Sequence, residues 1–106
     1  MGLWGMDGAT GGKPPFTDLQ GGRRVILYFV YLIQSVSNPT QWYVGFTEDL
    51  DARLQAHNAG DSTHTSKSRP WRYVATVGFD TKMKAVAFER YLKSGSGQAF
   101  ARRHFR

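Results

Sequence analysis

The chain has 106 residues, a formal net charge of +6 and no cysteine. That length allows one domain, and the missing cysteine excludes disulfides and zinc–thiolate centres and suits a reducing cytoplasm. The positive charge is concentrated late, with 13 Lys/Arg against six Asp/Glu over residues 23–106, a balance that favours a polyanionic partner, most often nucleic acid, over an ordinary soluble surface.

Residues 1–22 hold seven of the twelve glycines and show no apolar period, so they read as a Gly-rich flexible tail ahead of one domain over residues 23–106. They lack the basic start and the continuous apolar core of a secretory signal. "RRVILYFVYLI" (Arg23–Ile33) is β-branched and aromatic, the pattern of a strand buried on both faces, and far short of the ~20 apolar residues of a membrane span. "QSVSNPT" is a turn punctuated by Asn38–Pro39, and "QWYVGF" (Gln41–Phe46) a second strand, so the pair forms a hairpin. A hairpin symmetric about Ser37 sets Tyr31 opposite Tyr43 and Phe29 opposite Gly45, with Gly45 leaving space beside the Tyr43 phenol.

Thr47 caps the next helix, Glu48 and Asp49 suit its first turn, and Gly60 stops it. With Leu50 at zero and about 100° per residue, Leu54 falls near 40°, His57 near 340° and Arg53 near 300°. Arg53 therefore borders the core-facing stripe, placed either to pair with Asp49 or to offer its fork to a phosphate at the mouth of the hairpin. His57 is either a half-buried structural histidine or a participant in proton transfer. Asp49 and Asp51 resemble a paired-carboxylate motif but point about 160° apart on a helix.

"DSTHTSKSR" is a polar loop with room for one helical turn. Its Lys67 and Arg69, with Arg72 just beyond, read as contacts to a phosphate backbone or as a solvated surface. His57 and His64 lack the i,i+4 spacing or cysteines of a metal centre. "PWRYVATVGF" is a third strand with proline at its edge, Trp71 and Trp42 reading as core. "DTKMKAVAFERYLKS" is a second helix capped by Asp80, "GSG" breaks the chain, and "QAFARRHFR" is a short basic helix or tail, with Arg102, Arg103 and Arg106 facing the nucleic acid and Phe100 and Phe105 docking. From Lys82 onward Glu89 is the only acid among seven basic residues. It either pairs with Lys93 at i,i+4 or takes one or two positions on Mg²⁺ with water and phosphate as the other ligands. Lys93 joins the candidate phosphate contacts. The order of elements gives an α+β fold, a small three-stranded antiparallel sheet flanked by helices.

"FVY" (Phe29–Tyr31), eleven residues, "YVG" (Tyr43–Gly45), Arg53 ten residues after Tyr43, and "FERYLK" around Glu89 resemble the GIY-YIG nuclease family. The match runs from about Tyr28 to Lys93, with Y-V-G-F-T-x-x-L-x-x-R-x-x-x-H-N its most specific block. It is nearest in character to small stand-alone bacterial members and further from the N-terminal cleavage domain of the excision-repair endonuclease. Phe29 stands where the family name has its first glycine, and the late asparagine of some relatives has no match in "GSGQAFARRHFR". The resemblance implies an endonuclease that hydrolyses DNA phosphodiester bonds, in repair or recombination, leaving a 5′-phosphate and a 3′-hydroxyl. In that scheme Tyr43, with Tyr31 beside it, serves the attacking water and Arg53 steadies the phosphate. Glu89 holds one divalent ion, Mg²⁺ or Mn²⁺, and His57 matches a recurrent histidine. Whether Tyr43 or His57 takes the proton stays open. One carboxylate and one arginine fit a one-metal site better than a two-metal design, which needs several converging carboxylates. A domain this small is expected to borrow specificity from a protein partner. The competing readings are a nucleic-acid-binding module on the same fold and a basic protein-interaction domain.

Overall fold

A computed structural model describes residues 26–106 throughout and, before them, only the backbone of a two-residue antiparallel ladder, Asp18–Leu19 with Arg23–Arg24. The expected flexible tail, residues 1–22, otherwise lies outside the described residues. Three strands, β1 (Tyr28–Ser35), β2 (Trp42–Thr47) and β3 (Trp71–Phe79), form an antiparallel sheet in the order β2–β1–β3. The expected first strand is shorter at its start than the apolar run suggests, because Arg23–Arg24 pairs with Asp18–Leu19 instead. As the central strand, β1 is covered on both sides, and Phe29 through Ile33 are all buried.

The hairpin register differs from the expected one by two residues. Tyr31 pairs with Gly45 and Ile33 with Tyr43, because the turn centres on Asn38, where the Gln41 amide donates to the Asn38 carbonyl at 2.9 Å. A slip of two preserves the side-chain faces, so Tyr31 and Tyr43 still share one. The space over Gly45 belongs to the Tyr31 phenol: a Cβ there would overlap the Tyr31 hydroxyl and lie 2.9 Å from its ring Cε2.

Helix α1 (Leu50–Ala59) covers the face bearing Tyr31. Its cap is Asp49, which accepts from the Ala52 amide at 3.0 Å, while Thr47 binds Asp49 itself. The expected Thr47 cap thus lies two residues before the true cap. Gly60 ends it at φ 86°, a left-handed conformation that other residues adopt only with strain.

Helices α2 (Lys82–Leu92) and α3 (Gly95–His104) pack on the opposite face around Val30, Ala85, Leu92, Phe88 and Phe100. Thr81 rather than Asp80 caps α2; Asp80 pairs with Lys84 at 3.0 Å. The "GSG" segment, expected to break the chain, is the first turn of α3, capped by Ser94. Gly97 is required there because a Cβ would overlap the Tyr91 carbonyl and lie 2.6 Å from the Leu92 Cα, so α3 rests directly on the backbone of α2. The result is the α+β arrangement that the sequence predicts. No helix among the described residues is long and apolar enough to cross a membrane.

Candidate functional site

Four rings gather under α1. Tyr31 stands edge-on to His57 at 5.8 Å and to Tyr73 at 5.5 Å between centroids, and Tyr43 lies 6.5 Å from Tyr31 and 5.3 Å from His57. Strand alternation places Tyr31 and Tyr43 on one face, and the helical period brings Arg53 and His57 over them from α1. The Tyr31 hydroxyl is the hub. It receives the Arg53 Nε–H at 3.1 Å and shares a hydrogen bond with His57 Nε2 at 2.8 Å.

Tyr31 and His57 are buried. Burial pushes the Tyr31 hydroxyl pKa up, and the Arg53 hydrogen bond and charge pull it back. The bond to Tyr31 raises the Arg53 pKa in turn, so this guanidinium keeps its charge. Burial, then the Arg53 charge, lower the His57 pKa and keep the ring neutral at physiological pH. Burial also drives the Tyr73 hydroxyl pKa well up; it donates to the Leu50 carbonyl at 2.6 Å, which ties β3 to the start of α1.

Glu89 lies on α2, which packs on the other side of the sheet. Its carboxylate accepts from Lys93 Nζ at 3.2 Å, and the same ammonium lies 6.0 Å from the Tyr43 ring centroid. The negative charge is felt at Tyr31, where it raises the hydroxyl pKa slightly. Among the described residues no three His, Cys, Asp or Glu side chains form a metal-binding group. A lone, partly exposed carboxylate is a poor cage but a reasonable single ligand for a hard cation that keeps most of its water.

The other predicted basic residues separate into distinct locations. Lys67 is exposed in a 3₁₀ turn, Ser66–Ser68, beside α1. Arg69 is exposed, but its guanidinium packs over Gly60 at the C-terminal end of α1, where the helix dipole favours a cation. Arg72 is on the reverse face and donates to Gln34 Oε1 at 2.5 Å. Arg102 and Arg103 are exposed on the last turn of α3. Arg106 lies 4.5 Å from the Trp42 ring centroid, so Trp42 carries a cation where the sequence suggests core; Trp71 is core, at 5% exposure.

Two residues of this cluster do not stand out in the sequence. Thr65, fully buried, has its Oγ1 at 2.7 Å from His57 Nδ1, and its carbonyl accepts the Trp71 indole N–H at 2.8 Å. Tyr73 completes the ring cluster. Thr65 sits in a polar loop with no periodicity to mark it; the signal for Tyr73 is its place two positions along β3 from Trp71, on the same inward side.

Residues 27–103 match the family model described as the GIY-YIG catalytic domain. The chain is 36% identical over 77 residues to a structure-specific endonuclease subunit SLX1 homolog of Giardia intestinalis, covering 69% of this chain and 21% of that protein. It is 37% identical over 84 residues to structure-specific endonuclease subunit SLX1 of Candida dubliniensis, covering 73% and 28%. A small bacterial relative, UPF0213 protein YsiG of Lactococcus lactis, is 40% identical over 67 residues, covering 62% of each. The chain thus spans about a quarter of the length of the SLX1 relatives. With paired tyrosines under an arginine-bearing helix, and the family model matched over most of its length, the chain belongs to the GIY-YIG family.

Proposed function

We propose that this chain is a divalent-metal-dependent endonuclease that hydrolyses phosphodiester bonds in DNA, with residues 23–106 as its single catalytic domain. The observation that carries the reading is the Tyr31 hydroxyl held at once by Arg53 and His57, at 3.1 and 2.8 Å, with the Glu89 charge close enough to act on it. A phosphodiester needs a positioned nucleophile, neutralised charge and support for the leaving oxygen.

Arg53 spends only its Nε on Tyr31 among the described residues, and its terminal amino groups are the donors for the phosphate oxygens. Tyr31 and half-buried Tyr43 flank the side from which water attacks, and His57 orients Tyr31. Glu89 holds one Mg²⁺ or Mn²⁺, which when bound stabilises the leaving oxygen as a Lewis acid. Lys93 sits at the pocket rim, and Lys67, Arg69, Arg72, Arg102 and Arg103 supply sequence-independent backbone contacts. The SLX1 relatives are named structure-specific endonuclease subunits. By that likeness the substrate is DNA selected by its structure, and a protein partner supplies specificity; a role in repair or recombination belongs to the same proposal.

The test is nicking of branched and plasmid DNA with Mg²⁺. Cleavage that EDTA, Glu89→Ala and Arg53→Ala each abolish is the expected result; cleavage unaffected by Glu89→Ala overturns it. A second reading, a basic nucleic-acid-binding module without cleavage, draws on the Lys93–Glu89 pair, which satisfies the lone acid with a cation of the chain itself. Salt-sensitive binding with no cleavage under any of these conditions selects it.

A further inference from the structure

We infer that Thr65 is a positioning residue: it fixes His57 as a hydrogen-bond donor to Tyr31, so that the Tyr31 oxygen receives two N–H groups. The inference rests on the nuclease reading for its consequence, but its geometry stands alone. Thr65 is fully buried, and the one side-chain partner of its hydroxyl among the described residues is His57 Nδ1, at 2.7 Å. A hydroxyl carries a single hydrogen, and a neutral imidazole has one donor nitrogen and one acceptor nitrogen.

Two arrangements exist. With the proton on Nδ1, that N–H donates to Thr65 and the Thr65 hydrogen is left without an acceptor in a sealed site, a penalised state. With the proton on Nε2, Thr65 donates to the Nδ1 lone pair and Nε2–H donates to the Tyr31 oxygen at 2.8 Å. The second arrangement satisfies Thr65 and both ring nitrogens. It leaves the Tyr31 hydrogen as the one without a protein acceptor. Tyr31 is itself buried, at 1% exposure, but its oxygen, unlike that of Thr65, is bonded to an exposed side chain, Arg53, on the side where the proposed phosphate sits.

The surroundings agree. The ring is faced by Tyr31 from β1, Tyr43 from β2, Arg53 from its own helix and Thr65 from the loop; the cation among them disfavours a doubly protonated ring. The loop is held for this purpose at both ends, by the Trp71 indole on the Thr65 carbonyl and by Ser35 Oγ on the Ser68 carbonyl at 2.5 Å. The consequence is specific. A ring protonated at Nε2 has no lone pair facing Tyr31, so His57 does not accept the Tyr31 proton. Its part is to stabilise charge on the phenol oxygen, jointly with Arg53.

The experiment is a two-bond ¹H–¹⁵N correlation spectrum of ¹⁵N-histidine-labelled protein at neutral pH, with His57 assigned by His64→Gln and His104→Gln variants. His57 is expected to be protonated at Nε2 alone. In Thr65→Val the Nδ1 resonance moves toward the protonated range, and Thr65→Ser restores the wild-type spectrum. In nicking assays Thr65→Val lowers kcat on the order of tenfold or more with KM little changed, and alters the pH profile, whereas Thr65→Ser does not. A wild-type ring protonated at Nδ1, or a Thr65→Val ring with an unchanged tautomer, overturns the proposal. The wild-type spectrum decides even where the valine variant fails to fold, and it holds whether or not the chain cleaves DNA.

Discussion

The two faces of the sheet are built from the same three strands on different terms. Under α1 an apolar core of Phe29, Ile33 and Leu50 carries a polar network: Tyr31 bonds to Arg53 and His57, His57 to Thr65, Trp71 to Thr65 and Tyr73 to Leu50. Under α2 and α3 the contacts are among Val30, Ala85, Leu92 and phenylalanine rings, with Phe79 and Phe88 5.4 Å apart. One face adds directional bonds to its apolar core; the other is ordered by close packing alone. The lesson is a division of labour: the packed face stabilises the sheet, and that stability allows the opposite face to bury polar groups in one fixed geometry.

This contrast is open to direct attack, and its largest consequence concerns activity. Arg53→Ala or Glu89→Ala should reduce nicking on the order of a hundred- to a thousandfold, with the melting temperature near that of the wild type. Leu92→Ala, on the packed face, should do the reverse. It should cost about 2–5 kcal/mol in urea unfolding and leave cleavage per folded molecule unchanged. A Leu92 variant that loses activity at full stability would dissolve the distinction.

Gly45→Ala tests the polar face at its tightest point. The added Cβ overlaps the Tyr31 hydroxyl, so the ring must shift away from His57 and Arg53. We expect destabilisation of about 1–3 kcal/mol and loss of most nicking activity. Retention of activity would mean that Tyr31 tolerates displacement.

The pH dependence is smaller. His57 has a folded-state pKa below its unfolded value near ~6.5, because burial and Arg53 disfavour its charge. Above that pH the ring is neutral in both states and contributes nothing. As the pH falls below it, the unfolded chain binds a proton that the folded one resists, so stability declines. Urea midpoints measured from neutral to mildly acidic pH should show this decline, and His57→Gln should flatten it. The smallest effect belongs to the reverse face, where Arg106→Ala should lower the salt slope of DNA binding by about one without changing cleavage at saturating DNA.

Much of the scaffold was legible before any coordinates. Asn38–Pro39 marked the hairpin, Gly60 the end of α1, and the run through Ile33 a strand with both faces covered. The structure departs from the sequence pattern where two local residues compete for one role. Thr47 and Asp49 can each cap α1, as Asp80 and Thr81 can each cap α2, and only the path of the chain selects between them. The "GSG" segment reads as a break because glycine disfavours helix; contact with the α2 backbone overrides that preference and requires Gly97.

The sequence by itself determined which side chains are available and which face each occupies, since a period of two along strands and 3.6 along helices is set by backbone geometry. It therefore put Tyr31 and Tyr43 on one face of the hairpin, although the expected register differs by two from the observed one, and Arg53 and His57 along the core-facing side of α1; which face of the sheet α1 covers came from the tertiary structure. Tertiary structure decided who bonds to whom. That the Tyr31 phenol fills the space over Gly45, that Thr65 from an unpatterned loop meets Nδ1, and that Lys93 lies over the Tyr43 ring all depend on contacts between distant segments. No local periodicity encodes the distance between such segments; the packing of the whole domain does.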